Sequence, residues 1–322
     1  MTNAKLETHT PLVSAIIPNY NHAAYLDERI QSVLNQNFDD FEVIILDDCS
    51  TDNSREVIEQ YRDHPKVTKI IYNEVNGASV FRQWKKGVEA ASGKYIWMAE
   101  SDDYCESSLL KHLVAGLEKH DNCAIAYCQS IAFDMQENIM WQSFYTQLTD
   151  IIPGREFIPR FLSLQCAIFN ASMAIFRKEL FAAVNEEFLD FKFSGDWYFW
   201  IELCKMGDVF VCGRTLNYFR NHNGDVTTRA VKTGQNYLEA ARILTRSYNQ
   251  QLIPRGVYWK AFKKQHRQFW FTRDQYTGPL REALNNCFYN QQTTHLFPVL
   301  LRLDAMSKFI RLKLKRKKVR PY

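Results

Sequence analysis

An open α/β fold, with a mostly parallel sheet flanked by helices and a helical C-terminal extension, is predicted by two features of the chain. Over the first hundred residues, short apolar runs rich in β-branched residues alternate with amphipathic stretches at helical spacing. After about Val231 only helical pattern remains, broken at Pro254 and at Gly278-Pro279. The 322 residues are 46% hydrophobic and 24% charged, with 12 Gly and 9 Pro, which excludes a disordered, collagen-like or disulfide-scaffold chain.

Leu12 to Ile17 reads as a buried strand ended by Pro18. Tyr25 to Gln36 places Leu26, Ile30, Val33 and Leu34 on one helical face. Phe41 to Leu46 is a second strand, and the turn and N-cap residues from Asp47 to Asn53 start a helix through Val57, Ile58 and Tyr61. Val67 to Tyr72 is a third strand. Asn76-Gly77 turns the chain into a helix from Ser79 to Ala91, Gly93 ends it, and a fourth strand, Tyr95 to Ala99, delivers Glu100, Asp102 and Asp103 at its carboxyl end. The alternation then loosens: a helix over Ser107 to Lys119, strands over Ala124 to Ser130 and Ser172 to Phe176, and a helix over Trp197 to Met206. Tyr237 to Tyr248, Val257 to Phe271 and Leu280 to Phe288 read as helices, which divides the chain into residues 1–228 and a helical region 229–322.

Ligands of open α/β sheets bind at the carboxyl ends of the strands, where loops and helix N-termini converge. Asp47/Asp48 and Glu100/Asp102/Asp103 both lie at such ends. Either cluster alone reads as helix capping; the two together read as a site. Glu100-x-Asp102 has the form that offers oxygens to Mg²⁺ or Mn²⁺ and leaves coordination positions for phosphate oxygens of a departing diphosphate. Asp48 reads either as a turn residue or as an acceptor for a nucleotide-base N–H, and Tyr20 either as a partly buried ring or as a stacking platform for that base. Asp196, flanked by aromatics in FKFSGDWYFW, reads as a general base if burial raises its pKa, or as an acid at a helix start.

The segments PNYN-x(3)-YL, EVIILDDCSTDNS, NGASVFRQW, GKYIWMAESDDY and SGDWYFW, in this order over about Pro11 to Thr228, resemble the family 2 glycosyltransferases. The resemblance implies a GT-A fold and inverting transfer of a sugar from a nucleotide diphosphate to an acceptor hydroxyl. It implies that Pro18, Tyr20 and Asp48 hold the base, with Asp48 accepting from uracil or thymine N3–H and Asp47 bracing the loop. Glu100, Ser101 and Asp102 match the D-x-D segment, with Asp102 and, less directly, Glu100 on the metal and Asp103 behind them. Arg82 matches an arginine near the diphosphate, Asp196 the base that deprotonates the acceptor, and His222 in YFRNHNGDVT a late histidine of the metal or pyrophosphate site. Two departures stand out. Glu100 replaces the more usual Asp, and Gly195 stands where many relatives have Glu.

Processive relatives carry Q-x-x-R-W and membrane spans; QHRQFW (Gln265 to Trp270) departs from that motif, so transfer of one sugar is expected. The polar start and the lack of a run of about 18 apolar residues lead us to expect a cytoplasmic protein. Eight scattered cysteines without C-x-x-C spacing are expected to be free thiols. Arg302 to Tyr322 holds nine Lys/Arg against Asp304 alone, so the net charge of +4 belongs to the tail. The basic run Arg311 to Arg320 follows Leu296, Phe297, Val299 and Leu300, a pattern that suits the anionic inner face of a membrane and a lipid-linked or cell-surface glycan acceptor, or a solvated end; no nucleic-acid module accompanies it. Two other classes compete with the transferase. A nucleotidyltransferase making nucleotide sugars needs a glycine-rich loop where this chain has NYNHAAY, and a silent nucleotide-sugar-binding scaffold is expected to lose Asp102 or Asp196.

Overall fold

The computed structural model describes residues 10–222, 232–290 and 296–318, which divide into two units. The first comprises residues 10–157, 167–190 and 195–222. Its strands are β1 (Val13–Asn19), β2 (Phe41–Asp47), β3 (Val67–Tyr72), β4 (Tyr95–Met98), β5 (Tyr104–Cys105), β6 (Cys123–Phe133), β7 (Ile139–Gln142), β8 (Thr149–Ile152), β9 (Ala174–Arg177) and β10 (Asp208–Arg220). They form a mixed sheet of order β3-β2-β1-β4-β9-β6-β10-β5, with β7 on β6 and β8 on β10. The pairs among β3, β2, β1 and β4 are parallel, as is β6 with β10, and β9 runs antiparallel between β4 and β6. Six strands therefore point the same way, and their carboxyl ends share one edge.

The helices of this unit are α1 (Ala23–Leu34), α2 (Ser54–Glu59), α3 (Val80–Ala90), α4 (Leu109–Lys119), the single turn α5 (Gly154–Phe157) and α6 (Gly195–Cys204). Every residue of β1, β2 and β4 is buried, the mark of parallel strands covered on both faces. A Cβ at Gly87 of α3 would lie 2.5 Å from Ile16 Cγ2, so glycine is what lets that helix settle on β1. α6 is apolar nearly all round and is buried at every position except Asp196. Its Phe199 and Trp200 pack with Phe176 of β9 and Trp84 of α3 at ring separations of 5.1–6.2 Å.

Pro18 does not end the first strand: β1 continues through it to Asn19. Pairing with β4 stops at Ile16, so one side of β1 is open at Pro18 and no ladder bond is lost for want of an N–H. β10 was not expected from the sequence, because Gly213, Arg214 and Asn217 interrupt its apolar pattern and its pairing with β6 shifts register three times. The cysteines are free thiols, six of them buried.

The second unit, residues 158–166, 191–194, 232–290 and 296–318, is helical throughout its longer segments: α7 (Gln235–Asn249), α8 (Arg255–Thr272), α9 (Gly278–Asn285) and α10 (Leu296–Lys318). Buried Glu239 of α7 accepts hydrogen bonds from the backbone N–H groups of Lys192, Phe193 and Ser194 at 2.8–3.0 Å. α10 seats Leu301 and Ala305 in the core of this unit and leaves Val299, Leu300, Leu303, Met306 and Ile310 exposed. Among the described residues, no helix is long and apolar enough to cross a membrane.

His266 of α8 is fully buried, with Nε2 2.9 Å from the Tyr289 hydroxyl, and burial lowers its pKa to about 4. The unfolded chain binds this proton near pH 6.5 and the folded chain does not. Acidification from pH 6.5 to 4 should therefore remove stability progressively, by roughly 3 kcal/mol at the lower limit. Denaturant midpoints across this range, compared between wild type and His266→Gln, check the expectation: the variant should show a flatter acid limb.

Candidate active site

The carboxyl edge of the parallel strands is where the acids gather. At the end of β1, Asn19 donates to Asp47 Oδ1 at 2.8 Å and to Ser50 Oγ at 3.2 Å, and Asp47 Oδ2 accepts from the Ser50 N–H at 3.0 Å. Asp47 thus braces the turn after β2. The next residue, Asp48, is also buried, yet it is used differently. Its Oδ1 accepts from Asn73 Nδ2 at 2.6 Å, from the Gly77 N–H at 2.9 Å and from Gln83 Nε2 at 2.8 Å. Three donors converge on one oxygen and fix the carboxylate in place. Pro18 lies inside buried β1 two residues before Tyr20, which is 44% exposed and offers a ring face at the same edge.

Three non-glycine residues around these loops adopt left-handed backbone: Asn21 (φ 56°), Cys49 (φ 61°) and Ala78 (φ 52°). Such conformations cost on the order of 1 kcal/mol each and persist where neighbours hold them. Here the Thr51 N–H binds Asn21 Oδ1 at 2.7 Å, and the Ala78 N–H binds Asn76 Oδ1 at 2.7 Å.

The loop after β4 carries Glu100, Ser101, Asp102 and Asp103. Glu100 Oε1 accepts from Trp84 Nε1 at 2.9 Å, and its main chain is held by Ser172 Oγ at 3.0 Å and by Arg29 Nε at 2.9 Å. Arg29 is fully buried, lies over the Trp97 ring, and sets a positive charge beneath Glu100 and Asp103. Burial, with the negative charge of Asp102, pushes Glu100 up to about 8 and Asp103 up to about 7. Asp103 accepts from Ser172 Oγ at 2.6 Å, from Asn170 Nδ2 and, at 3.3 Å, from the Arg220 N–H. Asp102 goes the other way. Burial works to raise it, but the hydrogen bond from His222 and the nearby charges of His22 and His222 outweigh that and hold it below the usual carboxylate range.

Asp102 Oδ2 lies 3.1 Å from His222 Nε2, and His22 completes a group in which one ligand atom from each residue lies within 4.8 Å of the others. The predicted pair Asp102 and His222 is therefore brought together across 120 residues. Glu100 is not part of this group, because its carboxyl is turned to Trp84. Ser101 is buried with its hydroxyl 2.8 Å from His22 Nδ1. His22, which the sequence reading passed over as an unspecified position between PNYN and Tyr25, is the main addition. A carboxylate with two imidazoles is a donor set that fits a divalent cation.

α3 links the two acid clusters. Its N-cap Ser79 accepts from the Arg82 N–H at 3.4 Å, Arg82 itself is exposed in the first turn, and the two residues that follow reach Asp48 (Gln83) and Glu100 (Trp84). Asp196 is half-buried in the first turn of α6, and its Oδ1 accepts from the Trp197 N–H at 2.7 Å. The preceding Gly195 has no room for a side chain: a Cβ there would meet Phe188 O and the Phe81 ring at 2.6 Å. A Glu at this position, as in many relatives of the family that the sequence resembles, does not fit this packing.

Comparison with known proteins bears on the family and the fold. The sequence profile described as Glycosyl transferase family 2 matches residues 14–184. A protein of Bacillus subtilis (strain 168), TuaG, provisionally named a teichuronic acid biosynthesis glycosyltransferase, is 39% identical over 129 residues, 39% of this chain and 48% of that one. The poly(ribitol-phosphate) beta-N-acetylglucosaminyltransferase TarS of Staphylococcus aureus (strain Mu50 / ATCC 700699) is 32% identical over 109 residues, 33% of this chain and 19% of TarS. The chain thus spans about half of TuaG and a fifth of TarS in these matches. The crystal structure of S. aureus TarS residues 1–349 in complex with UDP-GlcNAc superposes with a TM-score of 0.65 at 18% identity, covering 96% of this chain and 93% of that one. The mannosyltransferase PcManGT from Pyrobaculum calidifontis, in complex with GDP-Man and Mn²⁺, superposes with a TM-score of 0.53 at 15% identity, covering 93% and 81%. These two structures share the GT-A fold with the first unit's sheet and helices.

The hydrogen-bonding pattern separates the two adjacent aspartates of the 100–103 loop. Asp103→Ala strips partners from buried Asn170 and Ser172 and should cost about 2–4 kcal/mol. Asp102→Ala removes its hydrogen bond with His222 but also relieves the repulsion that raises Glu100 and Asp103, so it should cost less. Urea unfolding midpoints of the two variants measure the difference directly.

Proposed function

The chain belongs to glycosyl transferase family 2, and from that premise we propose that it moves one sugar from a nucleotide diphosphate, UDP- or dTDP-linked, to a hydroxyl of a lipid-linked or cell-surface glycan, with inversion. The observation that carries this reading is the meeting of Asp102 with His222 and His22 at the end of β4, together with an Asp48 whose Oδ1 already accepts three hydrogen bonds. The UDP-GlcNAc bound by TarS supports a uridine donor, and the GDP-Man and Mn²⁺ bound by PcManGT support a divalent cation.

In this proposal Asp48 Oδ2 accepts the N3–H of the pyrimidine, Tyr20 stacks on its face, and Pro18 shapes the wall behind it. Glu100, fixed by Trp84, and Ser101 line the ribose-diphosphate side, and Arg82 contributes positive charge there. Asp196 takes the acceptor hydroxyl proton as the oxygen attacks the anomeric carbon; the bond from that carbon to the diphosphate breaks, and the diphosphate leaves with the electron pair. Asp102 and His222 would hold Mg²⁺ or Mn²⁺, which would supply neutralisation of charge on the diphosphate. Residues 1–228 carry this chemistry, and residues 229–322 serve attachment. The exposed apolar residues of α10 and the basic run from Arg311 support a place on the cytoplasmic face of an anionic membrane, although the part of that run beyond residue 318 lies outside the described residues.

Asp196→Asn should lower transfer by about 10²–10⁴-fold while changing donor affinity little, as read by product formation with a panel of nucleotide sugars plus Mn²⁺ and by calorimetric donor titration. Ordinary turnover in the variant would remove Asp196 from its role. Deleting Arg311 to Tyr322 should abolish co-sedimentation with phosphatidylglycerol-containing vesicles and leave transfer to a soluble acceptor in place; unchanged pelleting would remove the membrane from the proposal.

A further inference from the structure

We propose that His22 is a third ligand of the divalent cation, alongside Asp102 and His222, and that this set of two imidazoles and one carboxylate makes the site prefer Mn²⁺ and Co²⁺ over Mg²⁺. The inference rests on the reading of the 100–103 loop as a donor site only for the cation's place in the reaction.

The three residues come from the loop after β1, the loop after β4 and the end of the segment after β10, yet their donor atoms lie within 4.8 Å of one another. The separation of His222 Nε2 from Asp102 Oδ2, 3.1 Å, is close to the edge of about 3.0 Å between adjacent ligands of an octahedral ion with bonds of about 2.1 Å. His22 is built into place. Asn21 before it is held in its left-handed backbone by Thr51, and the Asn21 N–H binds Ser50 Oγ at 2.9 Å. The His22 ring is oriented by the buried Ser101 hydroxyl at 2.8 Å, as metal-bound imidazoles are oriented by a partner on their other nitrogen. It meets the His222 ring edge-on at 5.4 Å and 87°, and the Tyr25 ring packs against His222 at 5.1 Å. Glu100, the acid that would make the site richer in oxygen, is committed to Trp84.

The donor set decides the metal. Mg²⁺ keeps water and oxygen ligands and gains little from imidazole, whereas Mn²⁺ and, more strongly, Co²⁺ accept nitrogen donors. His22 accounts for half of the nitrogen, so its removal should weaken the transition metals selectively.

The full chain is titrated with Mn²⁺ alone, followed by electron paramagnetic resonance, with Mg²⁺ as competitor and with UDP present or absent. Wild type should bind Mn²⁺ at least about tenfold more tightly than Mg²⁺, and spin-echo modulation should show two imidazole nitrogens. His22→Ala should lose about tenfold or more in Mn²⁺ affinity, change Mg²⁺ affinity little, and show one imidazole. His22→Asp, which returns an oxygen ligand, should bind both ions with the ratio moved towards Mg²⁺ and also show one imidazole. Two imidazoles in either variant, an unchanged Mn²⁺/Mg²⁺ ratio, or no Mn²⁺ binding by wild type would overturn the inference. His22-dependent Mn²⁺ binding without any response to UDP, and without transfer from the nucleotide-sugar panel, would leave the inference standing and remove the functional reading instead.

Discussion

Three carboxyl groups within four residues at the end of a fully buried strand repel one another, and the site is organised around how that repulsion is resolved. Only one of them keeps a full negative charge. Glu100 is pushed up to about 8 and accepts from Trp84; Asp103 is pushed up to about 7 among Asn170, Ser172 and the Arg220 N–H; Asp102 is held low because two histidines face it. Arg29, sealed beneath the loop, offsets part of the remaining charge. Each resolution recruits a different element, so α3, the turn before β9 and the end of β10 are all anchored on one short loop. Crowding of like charge, costly by itself, becomes the reason that these segments share a location.

α3 extends that order to the second acid cluster. Consecutive side chains, Gln83 and Trp84, reach Asp48 and Glu100, which lie at the ends of different strands. Helical geometry turns successive residues about 100° apart, so a helix lying across the strand ends can address both loops at once. The glycine at position 87 sets how close that helix lies to β1.

The parallel half of the sheet was legible because each of its strands is an unbroken apolar run between turn residues, and the helices between them have a clean apolar face. β10 was not legible: its bulges against β6 break the two-residue period that marks a strand. The acids were legible as types and positions, since two clusters, each at the end of a buried strand, are harder to ascribe to helix capping than either is alone. Their partners were not. Arg29, Asn73, Asn170 and Ser172 come from segments whose local pattern carries no sign of the acid they meet, and His22 sits in a loop where a half-buried histidine has many ordinary uses. The reading of Pro18 as a stop failed for a related reason: whether a proline breaks a strand depends on the neighbour beside it, here the early end of β4.

The close approach at Gly195 limits what can stand beside Asp196. With Phe188 O and the Phe81 ring both 2.6 Å from where a Cβ would stand, an acid at this position requires its surroundings to shift. Two moves are required, one to withdraw the aromatic ring and one to shift the backbone, and each alone loosens the core around α6. Asp196 therefore stands as the acid of the first turn of α6, and the tightness that keeps a side chain from its neighbour also holds the start of that helix against Phe188 and Phe81.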